Sequence, residues 1–274
     1  MDLNAITEIV VDPAAARTSW RDGDAWLGGG TWLYSEPQPT LRRLIDLDGF
    51  DWPPIELDES SFKIAATCKI RDLKAWPRPA DWAAGHLIDR CCDALLASFK
   101  IWNMATVGGN ICLSLPAGAM TSLAAALDAT CIIWTADGIT RYVPVAEFVT
   151  GNSNNVLKQG DLLRSIDIPV AALEQRAAFR QVSLTPRGRS AALLIGTLSP
   201  TGNFVLTVTA STVRPIRIEF EGIPDASTLR RGIDAAIPDS LYHDDIHGAP
   251  HWRRHLTVHL GEEIRQELAD SPEI

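Results

Sequence analysis

Strand-length apolar runs alternate with helix-period stripes from one end of the chain to the other, and this interleaving confines it to mixed architectures, α+β or α/β. Residues 6–11, 25–27, 44–47 and 62–66 read as strands. Residues 71–76 suit a short helix stopped by Pro77-Arg78-Pro79, and residues 86–100 a longer one, because Leu87, Cys91, Leu95 and Phe99 recur at every fourth position. The alanine-rich residues 120–129 read as a helix capped by Thr121 or Ser122, followed by a hairpin of residues 130–135 and 140–143 around Asp137-Gly138. The pattern changes near Pro169. Residues 191–198, 204–211 and 216–221 then fit a small antiparallel meander that turns at residues 199–203. Residues 229–236 form a short helix, and Trp252, Leu256, Leu260, Ile264 and Leu268 mark an amphipathic terminal helix. A boundary at residue 170 divides the chain into segments 1–170 and 171–274.

Composition narrows the function classes. With 274 residues, 46% hydrophobic and 22% charged, the chain is of ordinary globular make-up. No apolar run approaches the roughly 20 residues of a membrane span, and the acidic first twelve residues lack a basic leader. A cytoplasmic location is expected. The net charge of -9 argues against nucleic acid, since Arg187, Arg189, Arg214 and Arg217 make too thin a basic group for a phosphate backbone. The five cysteines, Cys68, Cys91, Cys92, Cys112 and Cys131, form neither a disulfide framework nor a zinc pattern. They read as small buried hydrophobes, and any iron–sulfur cluster, which normally needs clustered thiolates, belongs on another chain.

Two glycine-rich segments carry the chemistry. Leu27-Gly28-Gly29-Gly30-Thr31-Trp32-Leu33 follows a predicted strand, and Thr106-Val107-Gly108-Gly109-Asn110 follows a predicted helix. Adjacent glycines let backbone N–H groups converge on an anion because no Cβ intervenes. Either segment alone more often makes a turn, and neither fits a Walker or Gly-x-Gly-x-x-Gly pattern. Together they suggest a diphosphate held by two loops. Valine at Gly29 and Gly109 is expected to abolish its binding.

The chain as a whole resembles the FAD-binding medium subunit of molybdenum hydroxylases, the group of xanthine dehydrogenase and carbon monoxide dehydrogenase. Leu27 to Leu33 is similar to the family's Leu-Ala-Gly-Gly-Thr-Asp-Leu, and Ala105 to Asn110 to its Ala-Thr-Ile-Gly-Gly-Asn, with Ser-x-Pro following at Ser114. Residues 123–129, 143–151 and 161–169 resemble further family segments in the same order. Phe179-Arg180-Gln181-Val182 sits where the second domain begins, and residues 243–256 resemble that domain's Asp-x-x-x-x-x-x-Tyr-Arg-x-x-Leu, with Trp252 in the aromatic place.

The resemblance implies an α+β fold: a two-lobed FAD-binding domain of the PCMH type over residues 1–170, then a small domain, residues 171–274, of a three-stranded antiparallel sheet with helices. It implies FAD contacts from Leu27, Gly28, Gly29, Gly30, Thr31, Trp32 and Leu33, and from Thr106, Val107, Gly108, Gly109, Asn110 and Ser114. The backbone of Leu163 would lie beside the cofactor and Arg180 near the flavin, where a cation favours the reduced ring. It also implies a heterotrimer with a large molybdopterin subunit and a small subunit bearing two [2Fe-2S] clusters, whose electrons pass through FAD to NAD, a quinone or oxygen.

Two positions depart from the family pattern: Trp32 replaces an acidic residue and Ala119 an aspartate. Trp32 either compensates for the lost carboxylate by stacking on a ring or packs in the core, and the alternative reading of the chain is a flavin-free subunit that bridges the same partners. No acid–base or nucleophile constellation is visible. His251, His255 and His259 share a helix face without a metal-binding motif, so neither a catalytic residue nor a metal is assigned.

Overall fold

The protein is described by a computed structural model covering residues 3–95, 97–186 and 188–270; Arg187, counted above among the basic residues, lies outside them. The first lobe holds β1 (Glu8–Val10), α1 (Pro13–Arg17), β2 (Asp24–Leu27) and β3 (Arg43–Asp46). Its sheet is parallel throughout, in the order β1-β3-β2, with Glu8 and Asp24 flanking Arg43.

The second lobe contains β4 (Ile55–Leu57), β5 (Ser61–Ala65), α2 (Ile70–Ala75), α3 (His86–Ala94), α4 (Phe99–Met104), α5 (Val107–Leu113) and α6 (Ala119–Ala126). It continues with β6 (Thr130–Trp134), β7 (Thr140–Pro144), α7 (Val145–Phe148), β8 (Val149–Gly151), β9 (Asn154–Asn155) and β10 (Leu162–Pro169). Five of these strands form an antiparallel sheet, β4-β5-β10-β6-β7, and β8 and β9 pair separately.

Three expectations change here. The helical stripe of residues 86–100 is two helices, because Leu95 turns extended and Ser98 starts a new helix whose Phe99 is exposed. The apolar spacing across the break is coincidental. Helix α6 begins at Ala119 with Gly118 as its cap, so Thr121 and Ser122 are interior residues. All eight α6 residues are buried, which is why small side chains dominate it and why its polar Ser122 hydroxyl is tied to Thr209 Oγ1 at 2.7 Å. Third, the segment at Thr106 to Asn110 is the start of α5 rather than a loop.

After α8 (Val170–Leu173) comes an antiparallel sheet of β11 (Arg176–Ser183), β12 (Ser190–Leu198), β13 (Phe204–Thr209) and β14 (Ile216–Phe220), followed by α9 (Ala226–Ala236) and α10 (Pro250–Asp270). The sheet has four strands, not three. The extra one, β11, is only half-buried along most of its length and shows no alternation, so its sequence lacks the period-2 signal. Pro250 opens α10 instead of interrupting a helix, since the first turn has no use for its missing N–H.

Every residue of β12 is buried. Leu193 and Ile195 enter the core shared with α3 and α6, whereas Leu194 and Leu198 enter the core shared with α9 and α10. Arg253 of α10 is 1% exposed and uses four of its five guanidinium hydrogens: it donates to Gly248 O at 2.9 Å, to Ala191 O and Ala210 O at 2.6 Å each, and to Asp245. Gly196 lets α10 sit directly on the sheet, for a Cβ there would fall 2.2 Å from Ile264 Cγ2. Gly196→Ala is therefore expected to destabilise the fold by about 2 kcal/mol, by overpacking against a stiff β-branched neighbour, and the shift in urea midpoint measures it.

Candidate functional site

The first glycine segment leaves the carboxyl end of β2, the end of a parallel sheet where α/β proteins place ligands. Its starting point is fixed by a buried ion pair between the neighbouring strands: Arg43 Nε donates to Asp24 Oδ1 at 2.8 Å, and the Asp24 side chain is fully buried. Burial pushes the Asp24 carboxyl upward, but hydrogen bonds from Arg43 and from the Arg21 N–H outweigh it and hold it below its ordinary value.

Past Leu27 the chain follows a course only glycine allows. A Cβ on Gly29 would lie 1.8 Å from Met104 O, and Gly30 has φ +68 with the Tyr34 ring 2.5 Å from its Cβ position. The loop is thereby pressed against the end of α4. The consequence lies in its amides. The backbone N–H groups of Gly29, Gly30, Thr31, Trp32 and Leu33 have no acceptor among the described residues; the first amide to find one is Tyr34, on Gly30 O. Five consecutive unpaired donors line one cavity.

The second segment behaves differently. Val107 N–H donates to Cys68 O, Gly108 N–H to Ala66 O, Gly109 N–H to Thr106 Oγ1 and Asn110 N–H to Thr106 O. Thr106 caps α5, and all four amides are consumed inside the protein. Gly108 is required by packing, because a Cβ would lie 2.5 Å from that of Ala66. This segment reaches the cavity through Thr106, Gly109 and Asn110 only. Asn110 Oδ1 accepts from Met120 N–H at 3.0 Å, which leaves its amide hydrogens directed to other acceptors.

The cavity encloses about 820 Å³ between the first lobe, the α3–α6 helices and the last sheet. Part of its wall is apolar, with Ala94, Leu95, Ile101 and Ala105. Another part is polar, with Asn152, Arg189, Ser190, His243 and Asp245. Sequence reasoning did not assign these five residues to a site; they come from three segments remote in sequence, Ser190 at the start of β12 and the others between strands and helices, and only the Asp-to-Trp-Arg spacing at Asp245 hinted at one of them. Such a volume and such an excess of donors in its wall suit a large ligand that carries an anion.

Of the other expected contacts, Ser114 is the left-handed C-terminal cap of α5, its hydroxyl donating to Ile111 O at 3.0 Å. Val107, Gly108 and Ser114 are not in the cavity wall. Leu163 lies within the five-stranded sheet opposite Ile133, and Arg180 is held on α10 by Glu263 and Glu267 at 2.7 Å each. Neither reaches the cavity. His259 pairs with Glu263 at 3.2 Å, and no group of three metal-binding side chains exists among the described residues.

A family model described as the FAD binding domain in molybdopterin dehydrogenase matches residues 14–171, more than half of the chain. The chain belongs to this family. It is therefore an FAD-binding subunit of the molybdenum hydroxylase type, an oxidoreductase component. Solved structures agree on the fold. Quinoline 2-oxidoreductase from Pseudomonas putida 86 matches with a TM-score of 0.79 at 20% identity over 98% of each chain. Carbon monoxide dehydrogenase from Hydrogenophaga pseudoflava matches with 0.78 at 18% identity, covering 97% of this chain and 98% of that one. The enzyme from Oligotropha carboxidovorans matches with 0.76 at 20% identity over 97% of each. No curated protein matches the chain. No helix among the described residues is long and apolar enough to cross a membrane.

The FAD-domain loop depends on the Asp24–Arg43 pair, and its stability should follow pH accordingly. A carboxyl held low in the folded state stabilises fully above its unfolded pKa near 3.8, and that contribution disappears as pH falls through the folded value. Asp24→Asn should cost about 3 kcal/mol at neutral pH, by stranding Arg43, and flatten the acid limb of an unfolding-versus-pH profile. Gly29→Val, in contrast, is expected to yield misfolded protein, visible by circular dichroism before any ligand is added.

Proposed function

We propose that the chain is the FAD-binding electron-transfer subunit of a cytoplasmic, heterotrimeric molybdenum hydroxylase. Segment 1–170 forms its FAD-binding domain and segment 171–274 its C-terminal domain. The observation that carries this reading is the row of five amides from Gly29 to Leu33, unpaired among the described residues, on a cavity of about 820 Å³. That row suits the pyrophosphate of FAD, with the Thr106 hydroxyl and the Asn110 side chain facing it from α5. When bound, FAD supplies the redox chemistry, and the protein supplies binding, orientation and electrostatics.

Trp32 replaces the family's acidic residue, lines the cavity and is 38% exposed, more than a core indole would be. It offers a ring face for stacking on a flat cofactor. Ala119 is fully buried at the start of α6, where an aspartate would need a partner of its own.

The partners follow from what this chain lacks. Burial pushes the Cys68, Cys92 and Cys112 thiols up to about 12, and Cys91 and Cys131 well above their usual value. None is a ready thiolate ligand. The electrons would come from [2Fe-2S] clusters on a small partner, the hydroxylation from a large molybdopterin partner, and the acceptor would be NAD, a quinone or oxygen. Among the structures of similar fold, one is a Cu,Mo-carbon monoxide dehydrogenase, and the Hydrogenophaga pseudoflava enzyme was solved without the Mo-pyranopterin moiety of its molybdenum cofactor.

The test is direct titration of the purified chain with FAD, followed by flavin absorbance and by release of FAD on heating. Stoichiometric binding is expected, and Thr31→Val should weaken it about fivefold by removing one hydrogen bond from the ligand. A chain that takes up no FAD, even when co-expressed with its partners, overturns the proposal in favour of a flavin-free bridging subunit.

A further inference from the structure

Arg180, the cation expected near the flavin, is paired with two carboxylates outside the cavity. The titratable groups that do line the cavity are Cys112, Arg189 and Arg253 and, in the segment before α10, His243, Asp244, Asp245 and His247. His243 is anchored there by its backbone N–H, which donates to Ser211 O at 2.9 Å, and its side chain is only 14% exposed. Its Nε2 lies 3.3 Å from Asp245 Oδ2. Asp245 in turn accepts from the buried Arg253 guanidinium and, at 2.9 Å, from the His247 N–H.

This chain of contacts fixes the state of the imidazole. Burial raises the Asp245 carboxyl, but the His247 N–H and the Arg253 charge outweigh it, so Asp245 is ionised at neutral pH. An ionised carboxylate only accepts, so its approach to Nε2 at 3.3 Å favours the tautomer with the hydrogen on Nε2 and the lone pair on Nδ1. Nδ1 has no hydrogen-bond partner among the described residues. Burial pushes the imidazole pKa down, with Asp245 and Asp244 opposing and Arg253 reinforcing that shift. A neutral base with a vacant proton site thus stands in the polar wall of the cavity, which Arg189 and His247 also line.

We propose that His243 is a redox-linked proton site for the cofactor, with Asp245 and Arg253 as its positioning residues. The inference rests on the FAD reading above. FAD has one uncharged base that undergoes no charge change and one ring that does. The apolar wall formed by Ala94, Leu95, Ile101 and Ala105 suits the first, and the wall that holds a vacant base suits the second. Two electrons and one proton entering the ring leave it with one negative charge. His243 Nδ1 then binds one further proton from solvent, so that two electrons are matched by two protons and no net charge is buried. An anion placed within about 4–6 Å raises an imidazole pKa by roughly one to three units.

The experiment is reduction of the FAD-loaded full chain at a mediated electrode, where electrons arrive without protons, in weakly buffered solution with a pH indicator at neutral pH. The wild-type protein should take up as much as one more proton per two electrons than His243→Gln, whereas His247→Gln should match the wild type. NMR titration of the wild-type imidazole needs no substitution, and should show its pKa rising by about one unit or more on reduction. Equal proton uptake in His243→Gln and wild type, loss of the extra proton in His247→Gln instead, or an imidazole pKa indifferent to reduction would overturn the inference alone. Failure of the wild-type chain to bind FAD overturns the cofactor reading and this inference with it.

Discussion

The contact of Gly29 with the Met104 carbonyl is the constraint on which the rest of the site depends. A backbone carbonyl cannot move aside as a side-chain end can, and the Cβ position of Gly29 lies 1.8 Å from it. The contact does two things at once. It fastens the first lobe to the helical lobe, and it holds residues 29–33 in a course whose amides find no acceptor in the protein. Unpaired amides are tolerable only where solvent or a ligand can satisfy them, and here they border a cavity. Close packing on one side of the loop and donor capacity on the other are consequences of one backbone path.

The two lobes and the last sheet share structure as well as surface. Strand β12 is buried on both faces, and α6 is buried around its whole circumference, so each serves two neighbours. Residues of β11 and β12, with Ala210 just past β13, enter the same core as α3 and α6, although they follow the sequence boundary at 170. The sheet therefore forms part of the cavity's support. Arg253 completes that arrangement: one guanidinium ties α10 to the carbonyls of Ala191 and Ala210, and also holds the Asp245 carboxylate at the cavity wall.

Much of this was legible in the sequence where a local signal decides the outcome. Strands β12 and β13, the β6–β7 hairpin and α10 have strong periodicity or turn residues, and they lie within a few residues of their expected places. The edge strand β11 has no alternation because it is half-buried on both faces, and the stripe across residues 86–100 continues by chance through a helix break. At the site, Leu27 to Leu33, Thr106, Gly109 and Asn110 do meet at one cavity. Val107, Gly108, Ser114, Leu163 and Arg180 do not line it. No local pattern reports whether an amide is already spent on a neighbouring carbonyl, and that tertiary fact separates the first glycine segment from the second.

The two glycine segments look alike as strings because two different demands select the same residue. In the first, Gly30 needs its positive φ and Gly29 its missing Cβ, while the amides remain available. In the second, Gly108 permits α5 to start against Ala66, and the cap at Thr106 absorbs the amide of Gly109. A helix start so fully capped has surrendered its anion-binding donors, since a backbone hydrogen directed at Cys68, Ala66 or Thr106 is not also directed at a phosphate. What α5 retains toward the cavity is side-chain chemistry, the hydroxyl of Thr106 and the amide of Asn110. Recognition of an anion between the segments is accordingly asymmetric, with backbone donors from one side and side-chain donors from the other.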